Sequence, residues 1–334
     1  MTHGTEPRDV VLKVAGLSVS FAAGAARTEV VSDVSFELRR GTTLGIVGES
    51  GCGKSVTALA IMRLLPRPAG RIERGSIRLL DEELLTLPPA AMRKIRGRRV
   101  AMIFQEPMTA LNPVKKIGMQ LGEVFELHFP ELSKAEILEH CLGLMKKVGI
   151  PDAAQRLKDY PHQLSGGMRQ RVMIAIALAC EPEVLIADEP TTALDVTIQA
   201  QILELMKDLQ REHGMAIVFI THDLGVIAEM CDEVLVMYGG VAVEAAAVGA
   251  LFQSPRHPYT RGLLSAIPRL DYPRKQRLLT IEGVVPAPGS MPPGCRFYNR
   301  CVHAAPKCTG VEPLLRDVEA TRSVRCVRAE ELTP

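Results

Sequence analysis

Eight consecutive residues, Gly48-Glu49-Ser50-Gly51-Cys52-Gly53-Lys54-Ser55, constrain this chain more than any other stretch. They follow a branched apolar run at 44–47 and lead into a helix-compatible segment, so the sequence predicts strand, glycine-rich loop and helix in immediate succession. Glycines let the backbone curl until successive N–H groups face a polyphosphate, and the helix that follows turns its positive end to the same charge. Lys54 is then expected to reach the β- and γ-phosphates, and Ser55 to bind the Mg²⁺ that bridges them, with Val56 next in the helix. A chance glycine-rich turn would need no such flanking order.

The alternation continues along the chain. Apolar segments at 184–187 and 216–220 each precede helical patterning, the second at 224–230, which reads as α/β with a largely parallel sheet. Ahead of the loop, 12–21 and 30–38 read as short strands forming an antiparallel flank. Between about 115 and 165 Glu and Lys are spaced among Leu and Ile with no strand run, which predicts an inserted helical subdomain. The stretch 283–294 carries four prolines and three glycines and cannot build a long regular element. With 334 residues, more than a usual domain of roughly 100–200, the chain is expected to hold a large domain at 10–252 and a small loop-rich extension at 253–334. No fixed-period repeat and no long heptad run is found, which removes solenoid and rod architectures.

Two further segments carry chemistry. Val184-Leu185-Ile186-Ala187-Asp188-Glu189 is a buried-strand pattern ending in two carboxylates, which places Asp188 at the strand tip as a metal ligand and makes Glu189 the candidate for polarising an attacking water. Leu164-Ser165-Gly166-Gly167-Met168-Arg169-Gln170-Arg171 opens a helix with small residues, where free N–H groups and a hydroxyl can meet phosphate; a plain helix N-cap accounts for Ser165 as well.

This last segment resembles the signature of ATP-binding-cassette (ABC) proteins, and it lies between the phosphate loop and the Asp188 strand in that family's order. The resemblance implies an ABC-type nucleotide-binding domain over 10–252, ATP as substrate and Mg²⁺ as cofactor. It matches Gln105 in Ile103-Phe104-Gln105-Glu106-Pro107 to the glutamine loop that senses nucleotide, contributes to the Mg²⁺ site and touches membrane subunits. Asp195 in Ala193-Leu194-Asp195 matches the inter-subunit loop, His222 the switch histidine near the γ-phosphate, and Phe21 the aromatic that stacks on adenine. Taken singly, His222 could be surface and Phe21 core. In this family Ser165, Gly166 and Gly167 complete the partner's ATP site, so one copy should hold two half-sites and a second cassette is required.

Other readings lose ground on composition. Lys and Arg total 40 against 38 Asp and Glu, which supplies no field for nucleic acid or anionic membrane, and the absence of Trp argues against a base-stacking surface. The start, MTHGTEPRDV, is polar where a secretory signal needs a basic and then an apolar stretch. No apolar run approaches the ~20 residues of a spanning helix, so movement must be passed to other polypeptides. A DNA-repair or chromosome-associated cassette would carry coiled coils or DNA-binding insertions, and none is seen.

Cysteines divide unevenly. Cys295, Cys301, Cys308 and Cys326 are separated by five, six and seventeen residues, and four thiols in one loop-rich stretch suggest one metal site. Zinc and an iron–sulfur cluster both accept four cysteines, and the spacing leaves the two open. Arg256-His257-Pro258-Tyr259-Thr260 and Pro293-Gly294-Cys295-Arg296-Phe297 resemble the C-terminal extension of dipeptide and oligopeptide importer ATPases. That resemblance implies a [4Fe–4S] cluster on the four cysteines and uptake of short peptides, the same motor role for nickel, glutathione or another small solute being the alternative. It also implies a paralogous second ATPase in a heterodimer, two transmembrane permease subunits, indirectly an extracytoplasmic peptide-binding protein, no nucleic acid, and a peripheral place on the cytoplasmic face of a prokaryotic inner or plasma membrane. Cys141, Cys180 and Cys231 sit among apolar neighbours and read as core. Cys52, inside the phosphate loop, is expected to make the motor sensitive to thiol reagents.

Overall fold

The computed structural model describes residues 9–24, 26–105, 110–192, 194–267 and 280–332. They fall into two compact units interleaved in sequence: one takes the residues up to Leu12 with Leu38–Thr42 and Thr86–Phe219, the other Lys13–Glu37, Thr43–Leu85 and everything from Ile220 onward.

In the second unit, β1 (Val10–Ala23), β2 (Ala26–Arg39), β4 (Gly70–Leu79) and β5 (Glu82–Glu83) form a sheet in the order β2-β1-β4-β5. The flanking strands expected at 12–21 and 30–38 are β1 and β2. A second set of strands runs β11-β12-β10-β9-β3, from Arg316–Glu319, Arg322–Val324, Val241–Ala247, Glu233–Tyr238 and Thr43–Val47 respectively. β3 is parallel to β9, pairing Leu44 with Glu233 and Val47 with Val236, and all five of its residues are buried. Parallel strands covered on both faces are unbroken apolar runs rather than alternating ones, which is why 44–47 was readable as a strand. β9 turns into β10 through Gly239 and Gly240, at φ 53° and 87°, the two positive values that a tight two-residue hairpin turn demands.

β12 pairs antiparallel with β10, Glu244 facing Val324, so the loop-rich extension adds strands to the sheet that carries β3. The 283–294 stretch forms no helix or strand, as its prolines and glycines predict. Under the hairpin, Tyr238, Tyr259 and Phe297 pack with ring centroids 4.7 to 5.4 Å apart. Three of the chain's few aromatics thus join β9 to the extension.

In the first unit β6 (Val100–Ile103) lies parallel to β7 (Val184–Asp188), Val100 opposite Val184 and Ile103 opposite Ala187, with strand order β8-β7-β6 and β8 at Ala216–Ile220. Helices Ile117–His128 and Lys134–Lys147 occupy the region expected to be helical. The second begins at a capping box in which Ser133 and Glu136 satisfy each other's backbone N–H groups. Helix Val196–His213 buries Ile202, Leu203, Met206 and Leu209 on one face and ends at Gly214 in the left-handed region. Among the described residues no helix is long and apolar enough to cross a membrane.

Candidate functional site

The phosphate loop leaves β3 at Gly48, whose φ of 153° and position would drive a Cβ into the Met237 carbonyl. Gly51 and Gly53, at φ 79° and 101°, supply the other two turns. Helix Lys54–Ile61 follows with Gly53 as a cap that offers no side chain to its first turn. Lys54, 6% exposed, folds back over the loop: its Nζ donates to Gly48 O at 2.7 Å and to Glu49 O at 3.1 Å. Ser50 and Gly51 are exposed at the tip, and Ser55 and Val56 are half-buried in the first helical turn. The loop's far side leans on the hairpin, where Gly240 N–H donates to Cys52 O and Ser32 N–H to Gly240 O.

Cys52 corrects the expectation of a reactive thiol. It is fully buried, and burial pushes its thiol pKa up against the lowering influence of Lys54. A protonated, enclosed thiol is a poor nucleophile. Of the three cysteines read as core, Cys141 is buried, while Cys180 and Cys231 are only partly so. Burial raises all three, Cys141 and Cys180 to about 11.

Sequence reasoning missed what grips this loop. Tyr259 Oη accepts the Glu49 N–H at 2.9 Å, and Arg300 forms a two-pronged ion pair with the Glu49 carboxylate, Nη1 to Oε2 at 2.6 Å and Nη2 to Oε1 at 3.0 Å. Both grips come from the extension. Tyr259 lies in the His257–Thr260 motif already singled out, but its sequence context announces a resemblance rather than a contact. Nothing local to Arg300 announces its role.

Tyr259 is set by a buried polar chain. Glu244, fully buried on β10, accepts the N–H groups of Arg256 and His257, both at 2.9 Å, and His257 Nδ1 accepts the Tyr259 N–H at 3.1 Å as cap of helix Pro258–Ser265. Burial drives the His257 pKa down to about 3, so it is a neutral acceptor.

Cys295, Cys301, Cys308 and Cys326 line one small cavity with His257, His303 and Phe297. Burial, and then the charge each thiolate would place on its neighbours, raises Cys295 to about 11 and Cys301 and Cys326 above their usual value. The four thiols assigned to one centre are thus brought together. Among the described residues, however, no group of three or more His, Cys, Asp or Glu is arranged to hold a metal ion.

In the first unit Asp188, 3% exposed, ends β7, and Glu189 follows at φ 48°. A non-glycine residue held there costs on the order of 1–3 kcal/mol, and such strain concentrates at functional positions. The Glu189 Oε2 accepts from Gln105 Nε2 at 3.1 Å and from Thr192 Oγ1 at 2.9 Å, so two donors fix the carboxylate's direction. Thr192 was not singled out from sequence. Glu106, Pro107 and Ala193, parts of the motifs quoted for Gln105 and Asp195, lie outside the described residues. Ser165 caps helix Gly166–Leu178, accepting the Met168 N–H at 3.3 Å; Gly166 has open space around it, while a side chain at Gly167 would strike Ile198. Asp195 caps helix Val196–His213 through the Ile198 N–H at 2.9 Å.

In the second unit His222 is exposed just past β8, on a turn shaped by Asp223, which accepts from Gly225 and Val226 N–H. Phe21 is half-buried near the end of β1 and its ring edge faces Gly70, where a Cβ would come within 3.1 Å.

Comparison with known proteins gives two family matches: the ABC transporter model over residues 31–192, and the oligopeptide/dipeptide transporter C-terminal region over 243–308. The chain is 49% identical to a probable peptide ABC transporter ATP-binding protein of Sinorhizobium fredii over 97% of its own length and 96% of the relative's. It is 50% identical to the oligopeptide transport ATP-binding protein AppD of Bacillus subtilis, covering 96% and 97% of the two chains, and 50% identical to the dipeptide transport ATP-binding protein DppD of the same organism, covering 91% and 90%. Among solved structures it resembles a dimeric ATP-binding cassette in a post-hydrolysis state bound to ADP and Pi, with TM-score 0.64 and 25% identity over 71% of this chain and 98% of that one. A cassette of a Clostridium perfringens ABC transporter complex matches with TM-score 0.62 and 28% identity, over 73% and 91%.

Proposed function

The chain belongs to the ABC transporter ATP-binding family, and from that membership we propose that it is the ATP-hydrolysing subunit of an importer, powering uptake of dipeptides or oligopeptides through separate membrane subunits. The observation that carries this reading is identity of 49–50% running through both the cassette and the C-terminal extension of peptide-transport relatives. The cassette is assigned to 10–252, with its helical subdomain at about 115–165, and the extension to 253–334.

Each residue keeps a defined task in the reaction. The curled loop from Gly48 to Gly53 and the helix behind it offer N–H groups to the phosphates, and Lys54 leaves the Gly48 and Glu49 carbonyls for the β- and γ-phosphate oxygens. Water attacks the γ-phosphorus as the bond to the β–γ bridging oxygen breaks, and ADP departs; Glu189 takes the water's proton, held in line by Gln105 and Thr192. His222 contacts the γ-phosphate and Phe21 stacks on adenine. Ser55, Asp188 and Gln105, a hydroxyl, a carboxylate and an amide, are the hard oxygen donors Mg²⁺ accepts, and the ion would neutralise charge between the β- and γ-phosphates. Ser165, Gly166 and Gly167 serve the ATP of a second cassette, and Asp195 lies at that junction. The second cassette is a paralogue, and the pair works on the cytoplasmic face of the membrane with two permease subunits and an extracytoplasmic peptide-binding protein.

The four cysteines are assigned to a [4Fe–4S] cluster. Four thiols lining one cavity are a donor set that both iron–sulfur clusters and zinc accept, and the resemblance of the extension to that of peptide-importer ATPases is what favours the cluster. Bound there, the cluster would supply a four-point cross-link to a stretch poor in regular structure. Protein purified without oxygen should be brown, and the colour should vanish in Cys301→Ser; a colourless wild type with stoichiometric zinc rejects the assignment.

Glu189→Gln keeps the shape of the side chain and loses the carboxylate. It should bind ATP yet hydrolyse it about 10²–10³-fold more slowly, and wild-type turnover would remove Glu189 from its role. Co-purifying the chain with its membrane and solute-binding partners and identifying the bound solute tests the peptide reading; nickel or glutathione in place of peptide would overturn it.

A further inference from the structure

Glu49 stands between Gly48 and Ser50 in the phosphate loop, and both of its ends are fastened by residues 210 and 251 positions away. Its N–H is taken by Tyr259 Oη and its carboxylate by Arg300, while its carbonyl is one of the two that hold Lys54 Nζ. All three polar groups of one loop residue are therefore committed.

Arg300 is unusually well fixed for a partner of a loop. Its side chain is 4% exposed, against 31% for Glu49. Nε donates to Glu282 O at 2.9 Å, Nη2 donates also to Ile281 O at 3.3 Å, and the guanidinium lies 5.7 Å from the centre of the Tyr238 ring. Carbonyls, an aromatic face and a carboxylate thus surround it, and this fork geometry tolerates little displacement. Its backbone belongs to the short turn Tyr298–Arg300, tied to the Cys295 carbonyl through Tyr298 N–H.

We propose that Arg300 and Tyr259 are positioning residues for ATP: they lock Glu49 so that the phosphate loop already has its anion-binding curl before nucleotide arrives. A loop ordered in advance binds with less loss of conformational freedom than one that must be ordered by its ligand. Neither residue needs to touch ATP. The presence of an acidic residue in a loop built to bind polyphosphate is explained by the same contact, because Arg300 neutralises the Glu49 charge from behind.

The test is a double-mutant cycle on the full chain, reading the Kd of the fluorescent analogue mant-ATP in Glu49→Gln, Arg300→Gln and the double variant. Each single change should weaken binding by about 5- to 10-fold, and the double should be no weaker than the worse single, since a pair acting as a unit is lost once. Tyr259→Phe, which removes one oxygen, should weaken binding by about 3-fold. In the assembled transporter the losses in Arg300→Gln and Tyr259→Phe should fall on KM for ATP rather than on kcat. Wild-type Kd in all variants, losses that multiply in the double, or a loss confined to kcat would each overturn the proposal. Should Arg300→Gln fail to fold, Glu49→Gln and Tyr259→Phe carry the decision through the same Kd measurement.

Discussion

Irregular backbone is held still in two different ways in the second unit. In the phosphate loop the curl itself is built by the main chain, with Gly48, Gly51 and Gly53 at positive φ and the Gly240 N–H on Cys52 O, and the side chains of Lys54, Tyr259 and Arg300 fasten a curl already formed. In the extension it is done by long side chains. Arg322 sends Nη1 and Nη2 to the Ser254 and Ala250 carbonyls at 2.6 and 2.7 Å, and Arg325 reaches the carbonyls of Ala242 and Pro313 at 2.9 and 3.0 Å. Backbone-built structure should therefore lose its fold to an added Cβ and only part of its ligand affinity to a change of side-chain chemistry. Structure built by side chains should show the reverse.

Four changes test that contrast, beginning with the largest effect. Gly48→Ala forces a side chain against the Met237 carbonyl at a φ of 153°, and should cost about 4 kcal/mol or prevent folding altogether, seen as a lost or strongly lowered Tm. Arg322→Met keeps apolar bulk but strips two carbonyls of their charged donor, and should cost about 3 kcal/mol in denaturant unfolding.

The third concerns His257, whose folded pKa of about 3 lies below the unfolded value of 6.5. The unfolded chain then binds the extra proton between those values, so His257's share of stability is complete above pH 6.5 and declines as pH falls toward 3. Lowering the pH from 7 to 5 should cost roughly 2 kcal/mol through this residue, and a His257→Gln variant should lose that part of the slope. A slope unchanged by the substitution would place the acid sensitivity elsewhere.

The smallest effect is expected from Cys52→Ser. ATP affinity should change by less than about twofold, since the backbone does the binding there, and sensitivity to thiol reagents should be the same with and without the Cys52 thiol. Selective labelling of Cys52 in the native protein would contradict its burial.

The same contrast explains what the sequence could tell. The loop was legible because its determinants are eight adjacent residues flanked by a strand and a helix of recognisable pattern. β7 and β8 were legible because they are buried on both faces and so read as continuous apolar runs. β12 was not: Arg322-Ser323-Val324 has no strand pattern and becomes a strand by lying between Glu244–Ala246 and β11. The last four cysteines could be grouped from their spacing, but not the His257, His303 and Phe297 that line their cavity, and the Glu189 grip was half visible, since Gln105 belongs to a motif while Thr192 is one threonine among many. Cys52 misled for a related reason: the residues beside it say nothing of the hairpin that covers it.

The ion pair between Glu49 and Arg300 also orders events in time. During synthesis Glu49 is made 251 residues before Arg300, an interval on the order of 10 to 50 s at ordinary elongation rates. Throughout it the loop can curl, because its glycines are present, but its outward N–H and carboxylate must remain with water. The nucleotide site of this chain is thus begun near the start of translation and fastened only when the extension emerges.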